Sequence, residues 1–221
     1  MAQSTSNLAQ DLVRIHKVIT RSLDVGLKSG RQYLSKGLPQ PPELAGYASY
    51  LYSLGAVLKG HHTSEDEVAF PAFRRVIPLA PIDRLTRDHQ SIEALLTPLP
   101  ETISGLSGNA TPKNIEPIIG IMENISSVWH PHIQVEEEYF SEQVLNAVML
   151  PDEQRRLSEE TSKHSQEFSN PPYWVVPFVL FNLEVEERNK MAAVLPPTIV
   201  DELVPKVWKE QWAPMKPFLL D

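Results

Sequence analysis

The chain has 221 residues, a formal net charge of −8 and no cysteine. That length suits one well-buried domain with a small appendage, and the acidic balance argues against a nucleic-acid surface, which needs a basic stripe. Without thiols there is no disulfide framework, no thiolate zinc site and no iron–sulfur cluster.

Residues Met1 to Leu12 are polar and lack the apolar core of a signal peptide. The most apolar run, Trp174 to Leu183, is shorter than the ~20 residues that span a bilayer. The expectation is a soluble cytoplasmic protein with neither a membrane nor a nucleic-acid partner. Proline, 20 of 221 residues, is about twice its usual share, and its clusters mark the joints.

Leu8 to about Leu34 predicts a first helix, with Leu12, His16, Ile19, Leu23 and Leu27 on one face. Gly37 to Pro42 breaks it. Glu43 to about Arg75 predicts a second, with Leu51, Leu54, Leu58, His61, Glu65, Val68 and Ala72 in one stripe. An overlapping register, Leu51, Gly55, Leu58, His62, Ala69 and Phe73, turns His62 inward instead. A third helix runs from about Ile82 to Leu96, with Leu85, His89, Ile92 and Leu96 facing one way and Glu93 beside them.

Pro98 through Pro112 is rich in Gly, Ser, Asn and Pro and predicts a flexible connection or a lid. A fourth helix, about Asn114 to Val148, carries Ile118, Ile121, Ile125, Val128, His132, Glu136, Tyr139 and Gln143 inward. Pro131, just before His132, predicts a kink there. After Pro151 come a polar helix (Asp152 to Phe168), an apolar one (Trp174 to Glu187) and an amphipathic one (about Thr198 to Trp212). No strand-period alternation occurs. Four long helices with short joints favour an all-α, antiparallel up-down four-helix bundle over residues 1–150. Residues 151–221 then form helices packed on it within one compact unit.

One pattern occurs twice. His16 lies 45 residues before His61, and His89 lies 43 before His132; each second histidine is followed four residues later by a glutamate, Glu65 or Glu136. Residues at i and i+4 sit above one another on a helix, so each His–Glu pair can reach one ion. The repeat favours His61 over His62, because His62 would pair with the shorter Asp66. Taken singly, a histidine on an apolar face is usually a hydrogen-bonded core group, and a His-x-x-x-Glu is commonly an exposed pair. All six on inner stripes, in a repeated order, point to a metal site.

Two buried glutamates demand a cation. Imidazole and carboxylate donors without sulfur suit iron, manganese or zinc rather than calcium. Four imidazoles and two bridging carboxylates leave open positions on a pair of ions, which makes such a site reactive rather than structural. His62, His130 and His164 fall off the seam. Tyr139, one turn beyond Glu136, offers a hydroxyl beside the site or serves as a core aromatic.

The set His16, His61-His62-x-x-Glu65-Asp66-Glu67 with Phe70-Pro71-Ala72, Asp88-His89, and His132-x-x-x-Glu136-Glu137-Glu138 resembles the hemerythrin-like, or HHE cation-binding, family over about Leu8 to Val148. The tail is similar to C-terminal extensions of some members. The resemblance implies an up-down four-helix bundle around two iron ions, an oxo- or hydroxo-bridged non-haem di-iron centre. Such a centre meets dioxygen, peroxide, nitric oxide or another small oxidant. By position, His16 and His89 would be single ligands, His61 and His132 the paired imidazoles, and Glu65 and Glu136 the bridging carboxylates.

The family's invertebrate oxygen carriers have a second histidine four residues after the third-helix ligand, where this chain has Glu93. Their last motif ends in aspartate after a longer gap, where this chain has Glu136. Either Glu93 is an additional ligand or both irons are open. The expected function is therefore oxidase, oxygenase or peroxide-decomposing chemistry fed by an electron donor. Non-catalytic oxygen or iron binding, storage or sensing is the alternative.

Overall fold

The computed structural model describes residues 7–221; the first six residues of the polar start, Met1 to Ser6, lie outside the described residues. Among the described residues all regular structure is helical.

α1 spans Leu8–Lys36. Asn7 caps it, its side chain accepting from the Gln10 N–H at 3.2 Å. Gly37, at φ 97°, ends it with a backbone angle that glycine alone adopts freely. α2 (Pro41–Ser64) opens on a proline, whose missing N–H is harmless at a helix start. The next five residues, Glu65–Ala69, take the wider π geometry before α3 (Phe70–Val76) resumes. The extra residue in that turn steps the inward face forward. Glu65, Ala69 and Phe70 are buried, while Val68 is only half-buried.

α4 (Ile82–Leu96) follows the Pro78–Pro81 turn. The expected loop or lid from Pro98 contains α5 (Leu99–Ser104), because Leu99 and Leu106 find apolar cover and are buried. α6 (Glu116–Tyr139) passes through Pro131, which is exposed, without losing its helical run. A departure from α geometry lies in the π turn after α2.

The fourth helix was expected to reach Val148, but it stops at Phe140. That ring turns inward to stack on Phe73 at 4.3 Å, and a separate α7 (Glu142–Val148) follows. Gln143, expected on the inner stripe, is exposed as a result. α8 is Pro151–Gln166. The expected apolar helix splits at Asn182 into α9 (Pro172–Phe181) and α10 (Val185–Ala193). The last amphipathic helix becomes a π-geometry run, Ile199–Val207, that accommodates Pro205, then α11 (Lys209–Trp212) and a 3-10 stretch, Ala213–Phe218.

α1 packs on α2 and α6, and α4 packs on α6 and, sparingly, on α2. The four long helices thus enclose one interior. One end is filled by Leu23, Leu51, Leu54, Leu58, Ile118 and Ile125, all at most 1% exposed; burying each such side chain is worth about 1.5–3 kcal/mol. Phe178, Met215 and Phe218 from the C-terminal residues join that same apolar cluster. Gly46 explains how closely they come: a Cβ there would lie 1.8 Å from the Pro214 carbonyl oxygen. A second cluster, including Phe70, Phe73, Leu85 and Phe140, fills the other end. The histidines lie among these apolar residues.

Candidate metal centre

α1 supplies His16, α2 His61 and His62, the π turn Glu65, α4 His89, and α6 His132 and Glu136. Each is at most 5% exposed. The structure brings together all six residues expected from the repeat. Ligand atoms of His16, His61, Glu65 and Glu136 lie within 4.8 Å of one another, and so do those of Glu65, His89, His132 and Glu136. The two sets share the two glutamates.

Glu136 faces both ways. Its Oε2 is 3.2 Å from His16 Nε2, and its Oε1 is 3.3 Å from His132 Nε2. Glu65 Oε2 is 3.4 Å from both His61 Nε2 and His89 Nε2. His16 Nε2, His61 Nε2, Glu65 Oε2 and both Glu136 oxygens are nevertheless buried without a hydrogen-bond partner. Buried polar atoms are nearly always satisfied. A converging set of orphaned nitrogen and oxygen donors fits a cation bound between them.

The electrostatics agree. Burial, and then the charge of Glu136, push the Glu65 carboxyl well above the ordinary carboxylate range. Burial opposes ionisation of Glu136 as well, but the His132 and His16 rings hold it well below that range. Burial and neighbouring imidazoles keep His61 and His62 well below their ordinary value, in the neutral form a metal takes. For His16, burial works the same way but is outweighed by Glu136 and Glu137, and its pKa is raised.

Acidic side chains hold the far sides of three rings. His16 Nδ1–H donates to Glu137 Oε1 at 2.9 Å. His89 Nδ1 lies 3.1 Å from Asp66 Oδ1, and Asp66 also accepts from Thr86 Oγ1 at 2.8 Å. His132 Nδ1 lies 3.5 Å from Asp88 Oδ2. The last two contacts are close enough for attraction but off the hydrogen-bond line. A carboxylate that accepts from the far ring nitrogen, as Glu137 does from His16, orients the opposite nitrogen toward a metal. Trp129, fully buried, sets its ring edge-on to His16 at 5.4 Å, and Phe70 stacks on His89 at 5.3 Å. The donors thus sit in an apolar box.

Several expectations need correction. Glu93 does not join the cluster. It is 65% exposed, 3.9 Å from Lys59 Nζ, because its place on α4 is at the edge of the inward face. His62, expected off the seam, is 5% exposed and stacks on His89 at 4.1 Å. A ring nitrogen of His62 lies within 4.8 Å of those of His89 and His132. α2 is buried over a broad arc, so both overlapping registers point inward. Tyr139 is half-buried against the apolar cluster of Phe70 and Phe140.

His130 is exposed, and His164 Nε2 meets Glu67 Oε2 at 2.9 Å away from the cluster. Sequence reasoning weighed Asp66 only as the shorter acid His62 would pair with, and assigned no role to Asp88, Glu137 or Trp129. The adjacent acid in Asp88-His89, and a tryptophan three residues before His132 on the same helical face, were the available signals.

Among the described residues no helix is long and apolar enough to cross a membrane. Comparisons with curated proteins and with solved structures find no match. Residues 7–144, which carry every donor of the cluster, match the hemerythrin HHE cation-binding domain. With most of its length covered by that domain, and its histidines and glutamates gathered in one buried cage, the chain belongs to the hemerythrin HHE cation-binding family.

Proposed function

We propose that the protein is a non-haem di-iron protein that binds and activates dioxygen or a related small oxidant, peroxide or nitric oxide. Its four long helices, α1, α2, α4 and α6, form an up-down bundle. One observation carries the reading. The two oxygens of Glu136 address different histidines, His16 at 3.2 Å and His132 at 3.3 Å, as a carboxylate shared by two ions must. His16 and His61 would hold one ion and His89 and His132 the other, with Glu65 and Glu136 common to both. Iron so held supplies one-electron redox steps and open positions for a small oxidant; manganese and zinc are alternatives the donor set also accepts.

The chain's own residues prepare that chemistry. Glu137, Asp66 and Asp88 fix the rings of His16, His89 and His132. Trp129 and Phe70 keep bulk water away, which strengthens every charge interaction inside. An apolar surround of this kind suits oxidase or peroxide-decomposing chemistry, with electrons from a donor.

The test begins with metal analysis of natively purified protein and an optical scan in the near-ultraviolet. Two irons per chain are expected. The reduced protein is then mixed with dioxygen, and separately with peroxide. Rapid irreversible oxidation, or catalytic loss of peroxide, is expected. An oxygenated spectrum that reverses under argon would instead establish the carrier or sensor reading, and stoichiometric zinc would refute both.

A further inference from the structure

Two hollows that share lining residues lie on the α2/α4 face. The outer cleft, about 310 Å³, is walled by Leu99, Ile103 and Phe168 over the small residues Gly55 and Ala56. The inner pocket, about 40 Å³, is lined by Thr63, Asp66 and Gln90 and reaches His62 and His89. Lys59, Glu93 and Leu96 line both. The Lys59–Glu93 contact, 3.9 Å and half-exposed on both sides, spans the rim between them. An exposed pair of that length holds its side chains only loosely. The hollows exist because α2 and α4 touch sparingly, with α5 propped against Gly55 rather than a larger side chain.

His62 is the second observation. Its Nε2 is buried, has no hydrogen-bond partner, and belongs to a ring that lines the inner pocket. It differs from the other four histidines of the cluster in one respect: no carboxylate oxygen lies within ion-pair reach of it, whereas His16, His61, His89 and His132 each meet Glu65 or Glu136 within 4.0 Å. It therefore stands at the edge of the donor cage, lining the pocket together with His89, with a ring nitrogen within 4.8 Å of those of His89 and His132.

We propose that the inner pocket is the port by which small exogenous ligands reach the metal pair, and that His62 is the polar group that holds them there. This rests on the metal-binding reading above. Size selects the ligand class. A water needs about 10–15 Å³ of such space, so the pocket admits molecules of two or three heavy atoms and nothing aromatic. An organic molecule stops at the outer cleft.

Azide serves as the probe, mixed with the iron-loaded oxidised protein and followed in the visible spectrum. Iron content is measured first on each variant, so a chain that binds no iron refutes the metal reading without touching the port. Leu96→Trp, which fills the junction, should slow azide association tenfold or more at unchanged iron content. His62→Ala should retain both irons and the resting spectrum while azide dissociates about tenfold faster, and His62→Gln should restore part of the difference. Unchanged association in Leu96→Trp would overturn the port. Loss of iron in His62→Ala would make that ring a permanent ligand and overturn its assigned role.

Discussion

The two ends of the helical interior both bury polar side chains, but they treat them differently. At the end sealed by the C-terminal residues, Arg21 donates to Asn182 Oδ1 and to the Phe218 carbonyl at 2.9 Å. Tyr50 O–H donates to the same Asn182 oxygen at 2.7 Å, and Asn182 Nδ2 donates to the Phe178 carbonyl at 2.8 Å. This network ties α1 and α2 to the segment after α9 and to the last turn of the chain. At the metal end, by contrast, five donor atoms of the six expected ligands face one another without a partner. A satisfied network is explained by the fold that contains it; a converging unsatisfied one requires something the polypeptide does not supply.

Substitutions should separate the two ends. The largest effect is expected from His132→Ala and Glu65→Ala, each of which should abolish stoichiometric metal binding, measured by elemental analysis on folded protein. Full occupancy in either would break the contrast. Asp88→Asn keeps the shape but removes the charge facing His132, and should weaken metal affinity about 10–100-fold in a chelator competition. At the other end, Asn182→Ala strips Arg21 and Tyr50 of a shared acceptor and should cost about 1–3 kcal/mol in denaturant unfolding. Metal content should stay unchanged.

A smaller, pH-dependent effect belongs to the sealed end too. Burial, against the pull of Ser22, Arg21 and Asn182, pushes the Tyr50 hydroxyl up to about 12. An unfolded tyrosine ionises near pH 10. A raised folded value means this stabilisation is complete below about pH 10 and is lost as pH rises toward 12. Thermal unfolding followed across that window should show the midpoint falling, and Tyr50→Phe should flatten the fall. The smallest effect is expected for His130→Ala, which alters an exposed ring and should leave both metal content and stability within about 0.5 kcal/mol of the parent.

Much of this was legible in the order of residues. The three-and-four spacing of apolar positions marks the long helices, and the repeated histidine-then-His-x-x-x-Glu pattern marks six donors, because a helix carries a one-dimensional period onto one face. Proline clusters located most joints. What periodicity could not decide was anything that depends on the width of a buried face or on a local change of helical pitch. Whether His61 or His62 faces inward has no answer in a stripe, since α2 is covered on both registers. The π turn at Glu65–Ala69 then moves the phase in mid-helix. Glu93 sits at the rim because α4 presents a narrower inward face.

The linear chain by itself thus determined the helical character, the candidate donor residues and the family, since all three are encoded in spacing and side-chain type. Tertiary structure alone decided that Glu136 addresses two histidines at once, that three acids brace the rings from behind, and that a small pocket opens on His62. Those features arise where residues from different helices meet. Their positions depend on how far apart the helices pack, which no local period records.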